Sequence, residues 1–360
     1  MKMSNENGMY EIYEKFRDSS DFTMIGKPIG KGAFGEVRNI VYKNKTMAGK
    51  LIKRDQKEPS EEERYSLELR GQNIIKINKI YTKKIDDCFY DLIIMEKAIL
   101  RDLGKLNEYF HQHNLLKTIY EPFNEKAGDS LLRFYAKQII NALELLDKNY
   151  FVHYDLKPEN LLIQINLILK LSDFDLLRKE KNGSTIIPGG THGFVTPEYY
   201  VDRNVSCDVA RKQDYFALGS TLFFLKFGEQ MIKFKKSNDN SVNVINEILA
   251  LQQRIGSIKS GQLTDKDFID FLVSLIEYIP KDRPSFEQIY KNKWLNKDID
   301  NIYNISNTFE NDEEKLIMEL QKNDFFVQLE NNGKENINFN NQKKGKSCRF
   351  RFKKKRKLEI

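Results

Sequence analysis

Cysteine is nearly absent from this 360-residue chain. Cys88, Cys207 and Cys348 make three, an odd number, and no two stand in C-x-x-C spacing. That argues against a disulfide framework and a cysteine-built zinc site, and it points to a reducing compartment. Long apolar runs are missing too. The longest, near Tyr215 to Leu225, contains Gly219, Ser220 and Thr221 and stops at Lys226, which is too short to span a bilayer. Met1 to Asn7 hold no apolar signal core, and no repeat recurs at solenoid periods. Evenly spread positive charge is also lacking, although the net charge is +7. Ten Lys or Arg and one Glu fall within 343–360, which leaves the rest close to neutral. A basic nucleic-acid-binding body is therefore excluded, and any such tendency belongs to the tail. The expectation is a soluble intracellular protein without a transmembrane segment, cytoplasmic or nuclear.

What is present is ordinary globular material, 40% hydrophobic and 31% charged. Residues 1–20 read as a loose polar extension. Ile25–Ile29, Val37–Tyr42, Met47–Ile52, Ile74–Tyr81 and Phe89–Met95 read as strands. A helix starts after Ser60, with Glu61, Glu62 and Glu63 in its first turn, and Gly71 closes it. Beyond Lys97 the pattern turns helical, over Ser130–Asn149, Asp208–Lys226, Phe268–Tyr278 and Phe286–Trp294, with Pro284 and Ser285 opening the last. Lys117–Asp129 and Lys235–Val242 read as loops. An Asn-rich stretch follows over 296–342, with one amphipathic helix expected at 312–330, and the polybasic block 343–360 ends the chain.

Chemistry concentrates in His153-Tyr154-Asp155-Leu156-Lys157-Pro158-Glu159-Asn160 and Ser172-Asp173-Phe174-Asp175. A carboxylate, a lysine two on, an asparagine five on and a further aspartate suit one task. They can orient a hydroxyl, neutralise a phosphate in transfer and hold the metal that bridges it. A glycine-rich stretch, Ile29-Gly30-x-Gly32-x-x-Gly35-x-Val37, lies upstream, and Ala48-Gly49-Lys50 follows it. A β-branched run follows the third glycine, so a strand–loop–strand hairpin fits better than the strand-to-helix turn of dinucleotide folds.

The first stretch fits H-x-D-L-x-x-x-N and the second resembles D-F-G with its last residue changed. Together they resemble a eukaryotic-type protein kinase over about residues 22–295. The resemblance implies a two-lobed α+β fold: a small β-rich lobe with one main helix, about 22–96, and a larger, mainly helical lobe, about 99–295. ATP and Mg²⁺, or Mn²⁺ in its place, would sit between them. By the same resemblance Ile29, Gly30, Gly32, Ala33, Phe34, Gly35 and Val37 cover the nucleotide, and Lys50 meets the α- and β-phosphates. Ala48 lies over the adenine and Leu162 under it. Met95 controls the back of the pocket, and Glu96 and Ala98 offer backbone groups to the adenine edge. A helix glutamate should pair with Lys50. Counting back eleven from Asn73 selects Glu62, with Glu61 and Glu63 as competitors. Asp155 would take or orient the substrate proton, Lys157 would neutralise the γ-phosphate, and Asn160 and Asp173 would hold the metal.

Lys157 and the run Gly190-Thr191-His192-Gly193-Phe194-Val195-Thr196-Pro197-Glu198 resemble the serine/threonine branch, so the implied substrate is a protein Ser or Thr hydroxyl. Glu198 would pair with Arg283, and Asp214 would brace the catalytic loop. Two residues depart from the family. Tyr154 replaces the arginine that receives an activation-loop phosphate, so activity is expected not to need phosphorylation of Ser184, Thr185 or Thr191. Asp175 replaces a glycine, and a non-glycine residue there is expected to pay for the backbone torsions that glycine allows. The alternative reading is a pseudokinase that binds nucleotide without transfer. The basic tail would suit an acidic partner, an anionic membrane or a nuclear import receptor.

Overall fold

The computed structural model of the chain describes residues 5–17, 22–31, 35–54, 61–98, 100, 102–112, 126–164, 168–232, 246, 249–250, 253 and 265–297. At 5–8, 17, 24–27, 31, 61–64, 109–112 and 126–131 the description covers the backbone alone. The expected 312–330 helix, the 235–242 loop and the basic tail lie outside these residues.

Residues 1–20 are not simply a loose extension. Helix α1 (Asn5–Arg17) packs on the sheet, with Tyr13 and Phe16 fully buried. Strands β1 (Phe22–Lys31), β2 (Gly35–Tyr42) and β3 (Lys45–Arg54) follow. Then come helix α2 (Glu61–Glu68) and strands β4 (Ile77–Ile85) and β5 (Cys88–Met95). The five strands form one antiparallel sheet in the order β1-β2-β3-β5-β4. Lys43 and Asn44, both left-handed, make the tight turn between β2 and β3, whose twist matches the strands. At Gly35 a Cβ would lie 2.0 Å from the Leu51 carbonyl oxygen, so the sheet itself requires glycine there.

Alternation along β3 gives the sheet two faces. Met47 and Leu51 join Ile40, Leu92, Ile94, Tyr13 and Phe16 under α1. Ala48 and Ile52, with Ile77, Ile93 and Met95, belong to the core on the other side. The Tyr13 hydroxyl lies 2.7 Å from the Glu36 carbonyl and 2.8 Å from that of Gly49, next to Lys50. Tyr13→Phe should leave both acceptors without this buried donor, at a cost of about 1–3 kcal/mol. A matched shift of the urea unfolding midpoint would show it, and an unchanged midpoint would show that water replaces the hydroxyl.

The expected strand at Ile74 begins instead at Ile77, because the residues before it are tied elsewhere. Leu171 N–H donates to Asn73 O and Ile75 N–H donates to Leu171 O. The Asn73 amide donates to Gln138 Oε1 and Leu169 O, both at 3.0 Å. These bonds stitch the segment after α2 to the strand that leads into Asp173.

Helices α3 (Leu103–Gln112) and α4 (Lys126–Lys148) open the helical part. The last four residues of the expected 117–129 loop are thus helical, and 117–125 lie outside the described residues. Short strands β6 (Phe151–Val152), β7 (Leu161–Ile163), β8 (Leu169–Leu171), β9 (Arg178–Lys179) and β10 (Ser184–Ile186) carry the chain to helix α5 (Glu198–Val201) and strand β11 (Asn204–Ser206). The single helix expected over 208–226 is two, α6 (Cys207–Ala210) and α7 (Gln213–Phe227). Ser206 caps the first, and the turn at Arg211–Lys212 lets Gln213 and Asp214 face inward.

Helix α8 (Lys266–Leu275) buries Phe268, Phe271 and Leu272. Helix α9 (Phe286–Tyr290) starts in a capping box between Ser285 and Gln288 and stops before the expected Trp294. Trp294 lies instead in the turns that follow, with its ring centroid 4.9 Å from that of Phe268. The result is the two-lobed α+β architecture. Among the described residues no helix is long and apolar enough to cross a membrane.

Candidate active site

The inner face of the sheet, helix α2 and the loop after β8 line one cleft. Lys50, Ile93 and Met95 come from the sheet, Ser66 from α2, and Asp173, Phe174 and Asp175 from the loop after β8. Register sets Val37 opposite Lys50 and Ala48 opposite Met95. Ile29, Val37 and Leu162 pack against the core cluster that holds Ala48 and Met95. Glu96 N–H donates to the Lys76 carbonyl, so the carbonyl is the backbone group that Glu96 can offer a ligand. The Glu96 carboxylate is 3.1 Å from Lys170 Nζ.

The 153–160 loop is held in place by hydrogen bonds. Asp214 accepts hydrogen bonds from the backbone N–H groups of His153 (2.7 Å) and Tyr154 (3.1 Å). Burial pushes the Asp214 carboxyl up. The Asn160 amide donates to Asp155 O at 2.8 Å and to Asp155 Oδ2 at 3.0 Å, which makes its amide oxygen the atom left for a cation. Ser172 N–H donates to Asn160 O, one residue before Asp173. Lys157 Nζ is 2.7 Å from Asp155 Oδ2 and 2.5 Å from Thr191 Oγ1. The Thr191 hydroxyl donates to Asp155 Oδ1 at 2.7 Å.

Lys50 Nζ bonds Asp173 Oδ1 at 2.6 Å and Asp175 Oδ2 at 2.7 Å. Burial would lower the Lys50 ammonium, but the two carboxylates override it and hold it above its ordinary value. Burial also opposes ionisation of both aspartates. Lys50 wins at Asp173, whose carboxyl is lowered, while burial and the neighbouring Asp173 push Asp175 up. The expected backbone cost at Asp175 is not found. Asp175 is outside the left-handed region, whereas Asp173 has φ 66°, at a typical cost of about 1–2 kcal/mol. Backbone strain therefore sits on the residue that faces the cleft.

Tyr154, also left-handed at φ 64°, is buried, and its hydroxyl donates to Glu180 Oε1 at 2.8 Å. Burial first, then Glu180, pushes the phenol up, so it stays a neutral donor. Glu180 is buried as well and accepts from Thr185 Oγ1 at 3.0 Å. At Gly190 a Cβ would lie 2.6 Å from Tyr154 O, so the segment passes against the 153–160 loop only as glycine. Farther on, Arg283 Nη2 is 2.6 Å from Glu198 Oε1.

Lys50, Asp155, Asn160 and Asp173 are therefore linked through contacts, as are Asp214 with the 153–160 loop and Glu198 with Arg283. Gly32, Ala33 and Phe34 lie outside the described residues, as do the side chains of Glu61, Glu62 and Glu63. Two contacts were not expected from the sequence. The Tyr154–Glu180 bond joins residues 26 apart. The Lys50–Asp175 pair had one clue, since carboxylates two residues apart can share a side of an extended segment.

The donors present suit Mg²⁺. Asp173 and Asn160 supply oxygen atoms, and Mg²⁺ needs only one or two carboxylates when phosphates complete its shell. Among the described residues no cluster of three or more His, Cys, Asp or Glu could hold a metal unaided.

A profile of the protein kinase domain matches residues 23–295. The chain is 27% identical to an Aurora kinase of Saccharomyces cerevisiae, over 82% of this chain and 74% of that protein. It is 27% identical to 3-phosphoinositide-dependent protein kinase B of Dictyostelium discoideum, over 78% and 29%. It is 26% identical to a smooth-muscle myosin light chain kinase of Gallus gallus, over 79% and 14%. The chain thus spans three quarters of the first relative's length and under a third of the other two. By the profile that covers both lobes of its fold, the chain belongs to the protein kinase family.

Proposed function

We propose that the chain is an active serine/threonine kinase that transfers the γ-phosphoryl group of MgATP to protein Ser or Thr hydroxyls. One observation carries this reading: contacts run from Asp155 through Asn160 and Ser172 to Asp173 and Lys50. Asp155 orients the incoming hydroxyl and accepts its proton, as it now accepts from Thr191. Lys157 places a positive charge beside that oxygen, and Lys50 meets the phosphates. Mg²⁺, held by Asp173 and Asn160, supplies charge neutralisation when bound. The rest is positioning and preset electrostatics. A serine/threonine substrate fits Lys157 and the 190–198 segment, and the free thiols of Cys88 and Cys207 suit a reducing compartment.

A nucleotide-binding scaffold without turnover is the second reading. The Lys50–Asp175 ion pair favours it, because Lys50 must exchange that partner or share it with a phosphate. Labelled ATP and a generic protein acceptor separate the two. Label on serine and threonine supports the enzyme, and bound ATP without transfer supports the scaffold.

The Tyr154–Glu180–Thr185 contacts hold the segment without any phosphate. Phosphatase-treated protein should keep its activity. Loss on treatment, with recovery from acidic substitutions at Ser184, Thr185 or Thr191, would contradict this.

A further inference from the structure

We propose that Asp175 is a positioning residue that holds the Lys50 ammonium toward the nucleotide when Asp173 is engaged by the metal. This rests on the kinase reading above.

The Lys50 ammonium has two carboxylate neighbours at nearly equal distance, 2.6 Å to Asp173 and 2.7 Å to Asp175. All three side chains sit in the cleft wall, with Lys50 14%, Asp175 19% and Asp173 35% exposed, so the Lys50–Asp175 pair is the less screened of the two. Asp173 is the member that faces metal chemistry. With Asp173 committed to a metal, Asp175 would remain as the near anion of Lys50. Asp175 keeps this place without a left-handed backbone. Helix α2 presents Ser66 to the same cleft, buried and neutral, so this residue supplies no charge to the ammonium. Fixing a long, flexible lysine matters because a misplacement of about 1 Å in a reacting assembly can cost about 10²-fold in rate.

Asp175→Asn should lower kcat about 10- to 100-fold while KM for ATP moves much less. Asp175→Glu should recover part of the loss, and Asp175→Gly should not. In a Lys50→Ala background, Asp175→Asn should cost nothing further, since the residue acts through the lysine. A second cycle, on the thermal stability of the nucleotide-free protein, should show the same coupling. Additive effects in either cycle would overturn the proposal. So would recovery of the Asn variant at raised Mg²⁺ or with Mn²⁺, which would make Asp175 a metal ligand. Wild type without any transfer would remove the kinase reading alone, and the stability cycle would still judge the Lys50–Asp175 pair.

Discussion

Asp155→Asn should lower kcat roughly 10²–10⁴-fold, the usual loss for a positioned acid–base group. The substitution keeps the shape of the side chain. It removes the anion that accepts from Thr191 and lies 2.7 Å from Lys157. The Asn160 bond to the Asp155 carbonyl does not depend on that charge. ATP affinity and melting temperature should therefore change little while turnover falls. A rate within a few-fold of wild type, with phosphotransfer confirmed, would assign the proton to another group.

Arg283→Ala should cost about 3–5 kcal/mol of stability, as breaking a buried ion pair from one side does. Arg283 is 2% exposed and donates to Glu198 Oε1, to Glu277 O at 2.8 Å and to Tyr278 O at 3.4 Å. Its removal strands a carboxylate and two carbonyls and opens a space beside Phe216. Replacing both partners, as Glu198→Leu with Arg283→Met, should cost less than Arg283→Ala, since no charge is left buried alone. Urea unfolding of the three variants gives the comparison. A single-variant loss below that of the double variant would mean the pair adds nothing to the fold.

The legible parts of this molecule were local. His153 to Asn160 and Ser172 to Phe174 carry their pattern in residue type and short spacing, so candidate roles could be assigned to them before any coordinates. The five strands showed in β-branched runs, which need only the period of a strand. What stayed hidden depends on distant partners. Tyr13 and Phe16 sit in a polar stretch, and their burial follows from the far face of the sheet. Tyr154 read as the loss of an arginine, and only the approach of Glu180 shows what replaced it. Asp175 read as a strained substitution, but the torsion fell on Asp173, and its carboxylate found Lys50 from the opposite lobe. The break between α6 and α7 was hidden for the same reason. An apolar run does not show that Lys212 Nζ reaches the Pro284 carbonyl at 2.7 Å, or that Asp214 takes the N–H groups of His153 and Tyr154.

The most direct measurement is transfer of labelled γ-phosphate from ATP to a generic serine- and threonine-containing protein, for wild type, Asp155→Asn and Lys50→Ala. Mg²⁺-dependent label on hydroxyls with wild type, lost in both variants, is the expected result. Tight ATP binding by wild type with no label, in Mg²⁺ and in Mn²⁺ alike, would contradict the assignment of a working phosphotransfer site.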